Sequence, residues 1–177
     1  LVEQGNYDQA INLALKKLRG KKKKKTEHVN ALQKAFARAT SADMRLVENL
    51  KKEGQEENWV TIYKIHLAIK KRQRKIEPIL PLYDEGGNKA EFRFVRIEDL
   101  ERESKEKSVE FYYNRAQDLL NRAEGGDKYA AREAYDELHK IDKFYQNYRD
   151  KEELKKFARD LGTTFILFKM ENNSNSI

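Results

Sequence analysis

Apolar residues recur along most of this chain three and four positions apart, the spacing that gathers side chains on one face of an α-helix. The first series is Ala10, Leu13 with Ala14, and Leu18. A second follows Thr26, a residue suited to capping, and runs Val29, Leu32, Phe36, Ala39, Leu46 and Leu50, with polar Asp43 in register and Met44 beside it. That helix is predicted to reach Glu53 and stop at Gly54, a length of about 40 Å at 1.5 Å per residue. Asn58 is placed to cap a third helix with the stripe Trp59, Ile62, Tyr63, His66, Ile69 and Ile76. Pro78 and Pro81 end it near Glu77, because proline removes a donor and restricts the residue before it.

The pattern then breaks. Asp84 to Asn88 reads as a turn, and Phe92 and Phe94 alternate with Glu91 and Arg93 as in a short strand or extended segment. A fourth helix is predicted from Glu98 to Glu124, carrying Tyr112, Ala116, Leu119, Leu120 and Ala123 on one face. Gly125-Gly126 ends it and Asp127 caps a fifth, with Ala131, Ala134, Leu138, Ile141, Tyr145 and Tyr148 in unbroken register. Asp150 with Glu153 suggests a capping box for a sixth helix, in which Leu154, Phe157, Ala158 and Leu161 face inward and Gly162 marks the end. From Thr163 to Met170 the residues are β-branched and aromatic, which predicts a strand.

The predicted architecture is therefore all-α. Antiparallel helical hairpins stack over residues 1–162, interrupted by an irregular insertion at about 78–97. A short C-terminal strand and polar tail, 163–177, read as the start of a further domain. Leu1 to Gly5 reads as the last turn of a helix that begins upstream. A weak internal repeat fits hairpins burying one continuous core: Trp59, Ile62, Tyr63, His66 and Ile69 align with Ala131, Ala134, Tyr135, Leu138 and Ile141.

Two resemblances sharpen this picture. The turn Gly5-x-Tyr7-x-x-Ala10 resembles the tetratricopeptide repeat, in which a small residue lets two helices approach closely. The stretch Tyr112 to Met170 is similar to tetratricopeptide-like exported lipoproteins of Bacteroidetes cell envelopes. The match rests on Tyr113-x-x-Ala116, Gly126-Asp127, Ala131-x-x-Ala134-Tyr135, Tyr148-x-Asp150, Ala158 and Leu161-Gly162 followed by a strand. It implies a cell-envelope location, periplasmic or outer-membrane-associated, a lipid anchor upstream and no known enzymatic activity. A cytoplasmic location is the alternative.

Composition agrees with solvated amphipathic helices. Of 177 residues, 38% are charged and 38% hydrophobic, with only 8 Gly and 2 Pro to break helices. The chain has no cysteine, which excludes disulfides, thiolate metal sites and cysteine nucleophiles. No run approaches the roughly 18 apolar residues that a membrane span needs.

The chemistry of the chain points away from catalysis. His28, His66 and His139 stand in no metal-ligand spacing, and no P-loop, dinucleotide or G-x-S-x-G motif occurs. His66 lies on an apolar helix face, where a packed, hydrogen-bonded core role is the favoured reading. Acidic residues near the start of the fourth and sixth helices suit the helix dipole. No enzyme, cofactor or metal is expected.

Two features suggest partners instead. The formal charge is +7, from 37 basic and 30 acidic residues. The basic ones concentrate in Lys16–Lys25, with Lys21, Lys22, Lys23, Lys24 and Lys25 as candidate contacts, and in Lys70–Lys75, with Lys70, Lys71, Arg72 and Arg74. A solvated linker and the outer face of the third helix are the favoured roles, while phosphate neutralisation requires the fold to bring the clusters together. The second feature is an aromatic face on the fifth helix, with Tyr129, Tyr135, Phe144, Tyr145 and Tyr148 as candidate lining of a peptide groove, although core packing with the hydroxyls at the edge is the favoured role. The sequence thus reads as a non-enzymatic helical scaffold or adaptor that contacts a protein partner. A basic helical module that binds nucleic acid is the alternative.

Overall fold

The structure, a computed structural model, describes residues 6–164. These residues form six α-helices and one 3-10 turn: α1 Tyr7–Leu18, α2 Thr26–Glu53, α3 Asn58–Ile76, the turn Glu77–Ile79, α4 Ile97–Glu124, α5 Lys128–Ile141 and α6 Lys151–Gly162. The all-α prediction holds for them. The Gly5 turn and most of the predicted C-terminal strand lie outside the described residues. No described helix is long and apolar enough to cross a membrane. The described residues group into two compact units, and the boundary falls inside α4, between Ser108 and Val109.

In the first unit α1 lies along α2. Ala10, Ile11, Ala14 and Leu18 face Val29, Leu32, Ala35, Phe36 and Ala39. Leu13, predicted to be inward, is 48% exposed. At 100° per residue it sits roughly 115° around the helix from the centre of the buried face, which Ile11 occupies in its place. Leu46 is likewise exposed and Val47 buried. α2 ends where expected: Gly54 takes the left-handed conformation, at φ 68°, that its missing Cβ permits.

Two predicted caps do other work. Thr26 is the first residue inside α2, and its hydroxyl donates to Asp84 Oδ2 at 2.8 Å. Asn58 is the first residue of α3, and its side-chain amide donates back to Leu50 O and Glu53 Oε2. Both side chains serve long-range or backward contacts in place of the first free amides of their own helices.

Residues 80–96 form no strand, only an isolated bridge between Tyr83 and Lys89. Phe92 and Phe94 are extended because they lie on the ring of Phe36, with centroids 5.4 and 5.6 Å away. The backbone of Val95 is bonded by a side chain where a strand would bond a neighbouring strand. Gln73 donates from Nε2 to Val95 O and accepts Val95 N–H at Oε1, at 3.1 and 2.8 Å.

The second unit contains the remainder of α4, α5 and α6. Asp127 caps α5 as expected, accepting from Tyr129 N and Ala130 N, and these bonds hold its carboxyl below the usual carboxylate range. Ala130, Ala131, Ala134 and Ala158 pack with Leu119, Leu120 and Ala123. Such small residues let helix axes approach; a Cβ on Gly162 would stand 3.2 Å from Arg132 Cγ.

The predicted continuation of α5 to Tyr148 does not occur: the helix stops at Ile141. Asp142, the next residue, receives the ammonium groups of Lys151 and Lys155, and Lys151 Nζ also bonds Tyr145 O and Gln146 O. The carbonyls past Ile141 are thus satisfied by a buried lysine in place of helical amides. Asp150 precedes α6 without capping it, because its carboxylate accepts the hydroxyl of Tyr113 at 2.6 Å. Lys151 and Lys155 occupy inward positions of α6, whereas Phe157, predicted inward, is exposed.

Candidate functional site

The two basic runs meet in the first unit. The last turn of α1 brings Lys16 and Arg19 to one edge, and Gly20, at φ 70°, reverses the chain there. The lysine run that follows is not a free linker. Its end is pinned to the 82–90 loop by Glu85 N donating to Lys24 O at 2.7 Å, next to the Thr26–Asp84 bond. Asp84 in turn fixes that loop by accepting from Gly86 N and Asn88 N, and with the side chain of Asn88 first among the causes, its carboxyl lies below the ordinary range.

Held this way, Lys24 turns back and donates Nζ–H to Leu18 O at 2.8 Å, satisfying a carbonyl that α1 leaves open at its end. From α3, Lys75 donates to Asn12 Oδ1 at 2.8 Å, and Arg74 stands beside it. Between these groups lies a cavity of about 570 Å³. Its cationic lining is Lys16, Arg19, Lys24, Arg74 and Lys75, and its apolar lining is Leu15, Leu18, Pro78, Ile79 and Leu82. Among the described residues, no acidic side chain lines it. The helix ends here are C-terminal, where positive charge complements the dipole.

The candidate residues of the sequence divide sharply. Lys21, Lys22, Lys23, Lys25, Lys71 and Arg74 are exposed, and Lys24 is half-buried. Lys70 is engaged with Glu101. Arg72 is not on an outer face: it is 5% exposed, with Nε donating to Asp8 Oδ1 at 3.0 Å and Nη1 2.9 Å from Asp43 Oδ2, an ion contact off hydrogen-bond alignment. It ties three helices together and is closed to a partner.

The aromatic groove is dispersed. Phe144, Tyr145 and Tyr148 follow the end of α5 and pack against Val109, Tyr113, Ala116, Leu138 and Ile141. Tyr145 and Tyr148 stack at 6.0 Å, and burial raises the Tyr148 hydroxyl above its ordinary range. Tyr129 is 76% exposed under Arg132, and Tyr135 stacks on His139. These five rings do not share one helix face.

His66 is the packed histidine expected. It is fully buried with Nδ1 2.9 Å from Ser104 Oγ. Ser104 Oγ lies 2.8 Å from Leu100 O, an arrangement that assigns the ring proton to Nδ1 and leaves Nε2 without a partner. Desolvation lowers its pKa, so the ring is neutral at pH 7. Among the described residues, no group of three or more His, Asp or Glu is arranged to hold a metal ion.

The candidate residues read from the sequence include the lysine run and Arg74; Lys16 and Arg19 fall within the basic stretch Lys16–Lys25 without being candidates, and Asn12 and the apolar wall were not legible. The available signal was Lys16 and Arg19 three apart in a last helical turn beside Gly20. Protein-family models, curated proteins and solved structures give no match to this chain.

Proposed function

We propose that the chain is a non-enzymatic helical-repeat scaffold that docks an acidic protein partner on the face around the α1–α3 cavity. The observation carrying this reading is the convergence of five cations from three chain segments on a surface lined, among the described residues, by no carboxylate. Such a field steers negatively charged partners and raises their association rate. Tetratricopeptide-like hairpins are part of the proposal. They are supported by the alanine-lined approach of α5 and α6 and by the close pairing of α1 with α2. An envelope setting rests on the resemblance of residues 112–170, and cell fractionation tests it.

The convergence also favours a second reading, nucleic-acid binding, and one titration separates the two. A labelled acidic peptide and a labelled duplex are titrated by fluorescence anisotropy at about 50 and about 200 mM salt. Five cations seated on phosphates would make duplex affinity fall roughly 500-fold across that range, from a slope of about −0.9 per phosphate. The scaffold reading expects the peptide to bind more tightly than the duplex at both salts. Tighter, steeply salt-dependent duplex binding rejects it in favour of the nucleic-acid module.

A further inference from the structure

The dipoles of α1 and α3 account for basic residues in their last turns, but not for a half-open cavity with apolar walls among them. Half-buried Leu15 and Ile79 and exposed Pro78 supply its apolar wall, backed by Leu18 and Leu82, which are 3% and 1% exposed. At about 570 Å³ the space lies within the range of small-molecule sites, which pair apolar walls with a few polar groups that fix orientation. The charged groups here are all donors. Lys24 and Lys75 each spend one N–H on the protein, and an ammonium carries three. Arg19, Arg74 and Lys16 have no acidic partner among the described residues.

We infer that this cavity binds a small single-chain amphiphile, its hydrocarbon tail against Leu15, Pro78 and Ile79 and its anionic head among Arg19, Lys24, Arg74 and Lys75. The head relieves the mutual repulsion of the cations through charge-assisted hydrogen bonds, and the tail replaces water on apolar walls. Neither part suffices alone: a bare anion leaves the wall of Leu15, Pro78 and Ile79 wet, and a neutral chain leaves the cations unpaired. The site shares its cations with the proposed docking face and goes beyond that reading, because its volume admits one small molecule and its chemistry asks for both halves in that molecule.

Calorimetric titration of the whole chain with decanoate, decyl phosphate, decanol and inorganic phosphate tests the inference. Decanoate and decyl phosphate are expected to bind at one site per chain, and the tighter of them identifies the head. Decanol and inorganic phosphate are expected to bind at least about tenfold more weakly. Arg19→Gln with Arg74→Gln, both exposed positions that leave the core intact, should weaken the two anionic amphiphiles about tenfold and leave decanol within about twofold. Ile79→Trp, checked for native helix content by circular dichroism, should weaken every chain-bearing probe. Equal affinity for decanol and decanoate overturns the inference. So does inorganic phosphate binding as tightly as decyl phosphate, or anionic binding unchanged in the double variant.

Discussion

Replacing Asp142 with Asn probes the cluster that ends α5. Lys151 is among the most deeply buried side chains of the described residues, with only 2% of its side chain exposed, and Asp142 Oδ1 lies 2.5 Å from its ammonium. Removing one partner of a buried ion pair costs about 3–5 kcal/mol when nothing else compensates. Here Tyr145 O, Gln146 O and Glu152 still receive the ammonium, and a third of the Asp142 side chain is exposed. The carboxyl itself gives a second figure. Burial would raise its pKa, but bonds and charge from Lys151 and Lys155 outweigh burial and hold it at about 2, against an ordinary 3.8. That difference corresponds to roughly 2.4 kcal/mol at most, and solvent screening reduces it to about 1 kcal/mol. The two figures bracket an expected loss of about 2 kcal/mol at pH 7. For a chain of 177 residues it lowers the melting temperature by about 4–8 °C.

The sign with pH follows from the same shift. The folded pKa lies below the unfolded one, so the pair's stabilisation is complete above about pH 4 and is lost as pH falls from about 4 to about 2. Thermal unfolding of parent and Asp142→Asn should therefore show a difference in melting temperature that shrinks across that window. A melting temperature for the variant within 1 °C of the parent at pH 7 would refute the argument, and would mean the carbonyls alone carry the lysine.

Three further outcomes follow from the packing. Phe36→Ala removes a ring buried among α1, α2 and Phe92, and should cost about 3–5 kcal/mol in urea unfolding with the slope unchanged. Arg72→Ala leaves the Asp43 carboxylate without its cation and should cost about 2 kcal/mol by the same assay. His66 has a folded pKa below its ordinary value, so the unfolded chain binds more protons just below pH 6.5 and stability falls as pH drops through that point. Magnetic resonance of the imidazole protons should place the His66 midpoint below 6.5, and His66→Phe should remove that component of the pH dependence.

Helix existence was legible in the sequence because period alone decides it. Val29, Leu32, Phe36 and Ala39 in α2, and Ala131, Ala134, Leu138 and Ile141 in α5, are all buried as their spacing requires. Ends were less legible, because side chains suited to local caps were taken by distant partners. Thr26 answers Asp84, Asp150 answers Tyr113, and Lys151, ten residues past the end of α5, receives the carbonyls that would have continued it. Period also misleads where a polar chain is buried by pairing. Arg72, Gln73, Lys151 and Lys155 sit inside because Asp43, the Val95 backbone and Asp142 are there, and the helical period of three and four residues joins none of those pairs. The cavity was half visible: charge marked Lys24 and Arg74, but only the fold joins the end of α1 to the end of α3.

The central claim, an acidic protein partner seated on the cationic face, is tested most directly by charge reversal at that face. Arg19→Glu with Arg74→Glu changes two exposed positions and should leave the helical circular dichroism spectrum unaltered. Binding of the labelled acidic peptide should then fall at least about tenfold, while the same reversal at Arg132 and Arg159, both in the second unit, should change it less than about twofold. Equal losses from both pairs, or none from Arg19 and Arg74, would contradict the account.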